Sequence, residues 1–275
     1  MKETIENITR SISENIFPDI TVFDESFIYR SISNRINELS VKSISDYLPY
    51  LNTNRSEQQI LIETLFNSYS EFFRNPLTFL IIEQILLPKI FLQKSRTYPD
   101  EIRIWSAGCS AGQEPYSIAI LTEDYKANNH QKINVRIFAT DKNKKELLSA
   151  GKGIYHFKSV QNARLYHISN YFTNNGEYYS INDKIKKCID FSILDLLDEG
   201  AGAPPSSIYG DFDIVMCSNL LFYYKPEIQK KILTRLSNSL VPGGFLIAGE
   251  AETGIIKSIK GFRQFTATAA IFMKT

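Results

Sequence analysis

Histidine, cysteine and tryptophan are scarce in this chain: three, three and one among 275 residues. Cys109, Cys188 and Cys217 stand far apart and form no CxxC or Cys/His ligand spacing. That excludes a zinc module and a disulfide framework, so no metal is expected. The cysteines read as small buried apolar residues in a reducing compartment. Net charge is missing as well. Lysine and arginine total 31 against 30 acidic residues, a formal +1, so no global field draws the chain to nucleic acid or anionic lipid. Long apolar runs are also absent. The most apolar stretch, residues 77–92, is interrupted by Glu83, Pro88 and Lys89 and reads as too short and too polar to span a bilayer. Glu3, Glu6 and Arg10 precede any apolar run, which excludes a signal peptide. A soluble cytoplasmic protein without direct membrane insertion is expected.

What is present falls into two rhythms. Residues 1 to about 95 read as a helical domain. Ile28, Ile32, Ile36 and Leu39 recur at helical spacing, as do Ile60, Ile62, Leu65 and Phe66. Ser45-Asp46 suits the start of a short helix, and Asn75-Pro76 has the form of a cap followed by a first-turn proline. From 96 to 275 the pattern is α/β. Strands are expected at 102–107, 134–140 (ending on Asp141), 188–194, 212–217 and 244–248, with helices from near Pro115, at 144–150 and at 226–240. The last of these is read as closed by Pro242-Gly243-Gly244. Residues 262–268 and 270–274 read as a terminal antiparallel pair. Alternating strands and helices imply a parallel, doubly wound, Rossmann-like sheet. Residues 156–187, rich in Tyr and Asn, break the rhythm and read as an inserted β-subdomain.

In such a sheet, ligands bind beyond the carboxyl ends of the strands. Three segments converge there. The first is Ser106-Ala107-Gly108-Cys109-Ser110-Ala111-Gly112-Gln113-Glu114-Pro115, a small-residue turn whose glycines, Gly108 among them, let backbone approach a ligand. The second is Asp141, a strand-end carboxylate able to accept two hydrogen bonds from a ribose diol. The turn lacks GxGxxG, and Asp141 follows Gly108 by more than the roughly 20 residues of a dinucleotide fingerprint. This argues against a nicotinamide enzyme. The third is Cys217-Ser218-Asn219-Leu220-Leu221-Phe222-Tyr223-Tyr224, where Ser218 and Asn219 face the cleft and Tyr224 reads as an interior aromatic.

Together these segments resemble the CheR family of chemoreceptor methyltransferases, from about Phe27 to the C-terminus. Ile104 to Ser117 and Ala139-Thr140-Asp141 carry most of the likeness. Gly153-Ile154-Tyr155, Cys217-Ser218-Asn219, Pro242-Gly243-Gly244 and Ser70-Glu71-Phe72-Phe73-Arg74 support it. The resemblance implies methyl transfer from S-adenosylmethionine, leaving S-adenosylhomocysteine, to glutamate side chains in the cytoplasmic domains of chemoreceptors. It implies a monomer with an all-α N-terminal domain before the cofactor-binding sheet. Residue by residue, it implies that Ser70 and Arg74 touch the cofactor or shape its pocket, and that Glu114 holds the methionine amino group. Asp141 would hold the ribose, Asp195 and Leu196 would line the adenine, and Asn219 with Leu220 would follow the methionine portion. Tyr223 would lie near the reacting centre, with Arg74 as a second catalytic candidate. Receptor docking would use a basic face bearing Arg30, Arg35 and Lys42, beside Glu38 and Asp46.

The chain departs from the family pattern at several places. Ser218 stands where an arginine is usual, offering only a neutral hydrogen bond to an acceptor carboxylate. Ser68 and Ser70 replace the ends of Asn-x-Thr, and Gly249-Glu250-Ala251-Glu252 replaces Gly-His-Ser-Glu. Gln113 replaces a frequent glutamate and Asp195 a frequent asparagine. Two alternatives therefore stand beside the receptor enzyme. One is a methyltransferase for another protein or a small carboxylate. The other is a non-catalytic module that binds S-adenosylmethionine and signals by contact.

Overall fold

The computed structural model describes residues 20–65, 69–96, 101–198, 200, 202–207 and 210–275. Contacts divide the chain into two compact units. One runs through the N-terminal part to Ser68 and includes Phe222–Gln229; the other comprises Tyr69–Leu221 and Lys230–Thr275.

In the first unit, α1 (Glu25–Glu38), α2 (Ile44–Thr53) and α3 (Arg55–Leu65) bury one apolar stripe each. Asp24 caps α1, its carboxylate accepting from the N–H groups of Ser26 and Phe27. Ile28, Ile32 and Ile36 pack inward as their spacing requires. α2 begins before the expected Ser45-Asp46, because Ser43 caps it by accepting from the Asp46 N–H. Ile60 does not join the buried stripe. It is 40% exposed, while Ile62 and Leu65 are buried; Phe66 lies outside the described residues. The segment 222–229 completes this unit: Phe23 bridges Tyr224 antiparallel, and the Asp24 N–H donates to the Tyr223 carbonyl at 2.8 Å. Tyr224 is buried and stacks on Phe23, the interior role its aromatic ring suggested.

The second unit opens with α4 (Pro76–Lys94), which runs beyond the apolar stretch read from the sequence. Its 19 residues and mean hydropathy of 1.3 would by length and composition suffice to cross a membrane. The helix instead buries Phe79, Ile82, Leu86, Leu87, Ile90 and Phe91 in one cluster with Ile102 and Ile104 of the sheet. Pro88 has no N–H to donate, and the preceding turn, Ile82–Leu86, widens to π geometry, with the Leu87 N–H reaching the Ile82 carbonyl.

The main sheet has seven strands, β1 (Glu101–Ala107), β2 (Asn134–Asp141), β6 (Ile189–Ile193), β7 (Phe212–Cys217), β8 (Leu240–Ala248), β9 (Phe262–Gln264) and β10 (Ile271–Lys274), in the order β6-β2-β1-β7-β8-β10-β9. The first five run parallel and the last two are antiparallel. β7 is buried along its whole length, as a parallel strand covered on both faces must be. α5 (Gln113–Asn128) and α6 (Lys144–Lys152) cross between the early strands, and α9 (Pro226–Ser239) leads into β8. Pro242-Gly243-Gly244 does not close that helix. It lies within β8, where the register slips between Phe212↔Leu240 and Ile214↔Phe245, and Gly243 takes a φ of +76° to make the bulge. The terminal pair is shorter than expected on its first arm, which stops at Gln264.

Between α6 and β6 the chain builds a separate antiparallel sheet, β3 (Ile154–His156), β5 (Tyr178–Ile181) and β4 (Phe172–Asn175), with α7 (Leu165–Tyr171) leading into it and α8 (Asp183–Lys186) after it. This sheet starts at Ile154, just before the stretch that breaks the sequence rhythm. The connection from β1 goes outward to β2 and that from β6 returns to β7 on the other side. The ends of β1 and β7 therefore border the point where strand order reverses.

Candidate active site

The turn after β1 is held open by its backbone. The Gly108 and Cys109 N–H groups both donate to the Thr140 carbonyl, at 2.8 and 2.9 Å, tying the end of β1 to the end of β2. Gly108 and Gly112 adopt φ of +75° and +92°, and Ser110 is forced to +50°. A Cβ on Gly112 would stand 2.9 Å from Ala150, and one on Gly108 would stand 3.1 Å from Leu220. The glycines thus serve packing between the turn and its neighbours as well as ligand approach.

Asp141 ends β2 with both carboxylate oxygens engaged. One accepts from the Ser110 N–H and the other from the Asn143 N–H, each at 2.8 Å. The Lys142 N–H adds a third backbone hydrogen bond, and of its roughly four acceptor sites capacity remains toward a ligand. Burial raises its pKa above the ordinary carboxylate value, and those N–H groups only partly offset it. Glu114, in the first turn of α5, accepts from the Ser106 hydroxyl at 2.7 Å. Desolvation raises its pKa; the hydroxyls of Ser106 and Ser218 and the charge of Arg74 pull it down, while Glu252 pushes it up. Glu146 is raised too, again chiefly by burial.

The turn after β7 hangs on Glu252. This fully buried carboxylate accepts from the N–H groups of Asn219 (2.9 Å), Leu220 (2.7 Å), Leu221 (2.6 Å) and Gly249 (2.7 Å). Asn219 takes a φ of +61° in this turn, and its side-chain oxygen is shut from solvent without a protein partner. The Gln113 side-chain oxygen is in the same condition.

Asp195 and Leu196 follow β6, beside β2, where the Leu194 N–H donates to the Asp141 carbonyl. Asp195 is exposed and Leu196 is buried. The guanidinium of Arg235 donates to the carbonyls of Asp195, Leu196 and Asp198 and so fixes this turn. Lys142 feels the charges of both Asp141 and Asp195, while burial lowers its pKa.

Ser70 is half-buried. Arg74 donates to the Tyr69 carbonyl at 2.7 Å, lies over the Tyr69 ring and acts electrostatically on Glu114. The Phe73 N–H donates to the Ser117 hydroxyl of α5, anchoring this segment. The structure thus brings Arg74, Gly108, Glu114, Asp141, Asn219 and Leu220 together with the strand ends. Tyr223 belongs to the helical unit, where its ring packs on Phe27 at 4.6 Å and on Phe222 at 4.4 Å. Ser68 lies outside the described residues.

Sequence reasoning missed Glu252, Lys142 and Arg235. In the sequence Glu252 stands only as the last residue of Gly249-Glu250-Ala251-Glu252, where it keeps the family's glutamate, with no role attached. Ser218 has a role its identity alone did not reveal, since it hydrogen-bonds Glu114. Among the described residues no cluster of His, Cys, Asp and Glu is arranged for a metal. Of the expected basic face, Arg35 is not available: it pairs with Glu57 at 2.7 Å and with Glu38 at 2.7 Å.

A small cationic ligand with a diol fits this donor set. It offers desolvated carboxylates, an orphaned amide oxygen and a turn of small residues. Comparison with known proteins identifies that ligand. The CheR_N description, "CheR methyltransferase, all-alpha domain", matches residues 23–66, and "CheR methyltransferase, SAM binding domain" matches residues 68–271. A chemotaxis protein methyltransferase of Borreliella burgdorferi is 26% identical over 255 residues, covering 92% of this chain and 88% of the relative. Chemotaxis protein methyltransferase 1 of Pseudomonas aeruginosa is 29% identical over 230 residues, covering 80% and 81%. A chemotaxis protein methyltransferase of Vibrio parahaemolyticus is 28% identical, covering 88% and 90%. With three quarters of its length matched by the SAM-binding-domain description and a set of side chains suited to S-adenosylmethionine, this chain belongs to the CheR methyltransferase family.

Proposed function

We propose that this protein esterifies glutamate side chains in the cytoplasmic domains of chemoreceptors, acting in the cytoplasm as a monomer. The observation that carries the reading is the cluster of desolvated carboxylates Glu114, Asp141 and Glu252 at the sheet's switch point, an excess of acid suited to a cationic methyl donor. The names of the relatives support the acceptor.

S-adenosylmethionine supplies a methyl group activated on a sulfonium, so the protein's own work is binding and alignment. Glu114 would take the amino group, Asp141 the ribose through its remaining lone pairs, Asp195 and Leu196 the adenine. Asn219, Leu220 and Ser70 would follow the methionine portion. A glutamate acceptor, with a pKa of about 4.3, is ionised at neutral pH and needs no general base. Holding it in line with the methyl group contributes several kcal/mol, on the order of 7 or more in well-oriented systems. Tyr223 would donate a hydrogen bond that orients the acceptor. Ser218 hydrogen-bonds Glu114 and so serves the cofactor side of the pocket. The cation facing the acceptor carboxylate is then assigned to Arg74.

Calorimetric titration with S-adenosylhomocysteine tests the pocket. Micromolar binding should weaken about 100-fold in Asp141→Ala, the loss expected when hydrogen bonds to a charged group go. Folded protein that binds nothing would overturn the reading. Incubation with receptor cytoplasmic fragments and labelled donor tests the acceptor, because a carboxyl methyl ester releases methanol in mild base and other methyl products do not. One observation favours a second acceptor class, another protein or a small carboxylate: Arg35, expected on the docking face, is held by Glu57 and Glu38. Esters formed in extract on soluble species alone would select it.

A further inference from the structure

The Glu252 carboxylate is held by backbone N–H groups alone among its identified partners. It is fully buried, and its four identified partners are neutral backbone N–H groups rather than a lysine or arginine. Those four bonds converge on both oxygens: Oε1 takes Leu220 and Leu221, and Oε2 takes Asn219 and Gly249. Such a nest of N–H dipoles stabilises an anion. It also ties two separate stretches of chain, 219–221 and 249, to a single group. The packing there is tight: a Cβ on Gly249 would lie 2.6 Å from the Asn219 amide nitrogen and 3.0 Å from the Glu252 carboxylate. Glu252 acts electrostatically on Glu114, and both act on the buried thiol of Cys217.

We propose that Glu252 is a positioning residue for methyl transfer, holding the Asn219–Leu221 turn, and that its charge makes the pocket discriminate between the sulfonium-bearing cofactor and the neutral thioether product. This rests on the cofactor reading above. The physical basis is that cofactor and product differ at the sulfur by one positive charge and one methyl group. Their amino groups, carboxylates, riboses and adenines are shared. A group that merely shapes the pocket affects both ligands alike, whereas a buried charge near the methionine arm acts on the shared ionic groups of both and, in addition, on the sulfonium of the cofactor alone, and low polarisability lengthens its reach. Glu114 would meet the amino group common to both ligands and so would discriminate less. The consequence for turnover is a contribution to product release: once the methyl leaves, the electrostatic attraction at the sulfur is gone.

The test compares dissociation constants for S-adenosylmethionine and S-adenosylhomocysteine in wild type and in Glu252→Gln, by calorimetry at one pH and ionic strength. Both ligands should weaken, because the amide presents an N–H₂ to N–H donors and loosens the turn. The cofactor should weaken further, shifting the ratio of the two constants about five-fold or more. Equal weakening of both ligands overturns the charge role, and unchanged constants overturn the proposal entirely. Should Glu252→Gln fail to fold, Glu252→Asp keeps the charge one methylene short of the turn. It must weaken both ligands by the same factor; unchanged affinity, or a loss confined to the cofactor, overturns the proposal. Wild-type protein that binds neither ligand would instead sink the cofactor reading, a different outcome from wild-type binding with a silent Glu252→Gln.

Discussion

Two buried glutamates, one in each unit, are held in opposite ways. Glu57, 2% exposed, receives the guanidinium of Arg35 through two oxygens at 2.7 and 2.8 Å and the Tyr47 hydroxyl at 2.8 Å. Burial raises its pKa, but these partners more than reverse that, and the net shift is downward. Glu252, 0% exposed, has four backbone N–H groups and no identified cation, and burial leaves it raised. Asp141, Glu114 and Glu146 share that raised condition. Glu57 is matched by a full cation at hydrogen-bond distance, while the pocket carboxylates stay raised despite the charges of Lys142 and Arg74, an excess of acid that suits a cationic ligand.

The comparison breaks most sharply at its structural end. Arg35→Ala leaves Glu57 buried and unpaired, and should cost about 3 kcal/mol of stability in a denaturant melt, the lower end of the range for stranded buried charges because Arg35 itself is partly exposed. A loss below about 1 kcal/mol would show that the pair is solvated and the contrast false. Next in size is Arg74→Ala, which should lower turnover about ten-fold beyond any loss of cofactor affinity. Matched losses in both would assign Arg74 to cofactor binding alone.

Acid should separate the two units. Glu57 has a lowered folded pKa, so its stabilisation is complete above its unfolded value near 4.5 and is lost only as pH falls through the lower folded value. Glu114 and Glu252 have raised folded values, so they take up protons while pH is still above 4.5. Their protonation relieves a cost to folding yet removes the charge that a cation needs. Cofactor affinity should therefore fall, by up to about ten-fold per pH unit, while a helical signal from the first unit persists. Simultaneous loss would contradict this. Smallest is Ser218→Ala, which removes one neutral hydrogen bond to Glu114 and should raise the cofactor dissociation constant about three-fold.

Much of this was legible beforehand for identifiable reasons. β7 was read to the residue because a strand buried on both faces has no polar alternation to blur its ends. That Gly108, Asp141 and Asn219 would stand at the carboxyl ends of strands followed from where the apolar runs stop, and the structure places Gly108 after β1, Asp141 at the end of β2 and Asn219 after β7. Pro242-Gly243-Gly244 was misread because a bulge and a helix stop use the same residues, and only pairing with Phe212 and Ile214 distinguishes them. α2 was misplaced by two residues because Ser43 and Ser45 are equally good caps in isolation.

Strand–helix alternation by itself determined the α/β class, while the cofactor and the family came from the resemblance of its motifs to known methyltransferases. These depend on local chemistry, which a linear chain displays. The tertiary structure alone decided that Arg35 turns inward to Glu57, that Ser218 serves Glu114, and that Glu252 gathers four N–H groups from two stretches some thirty residues apart. An acid's role depends on whether its partner is a cation, a hydroxyl or a backbone dipole, and that partner is chosen by long-range packing, which sequence order does not display.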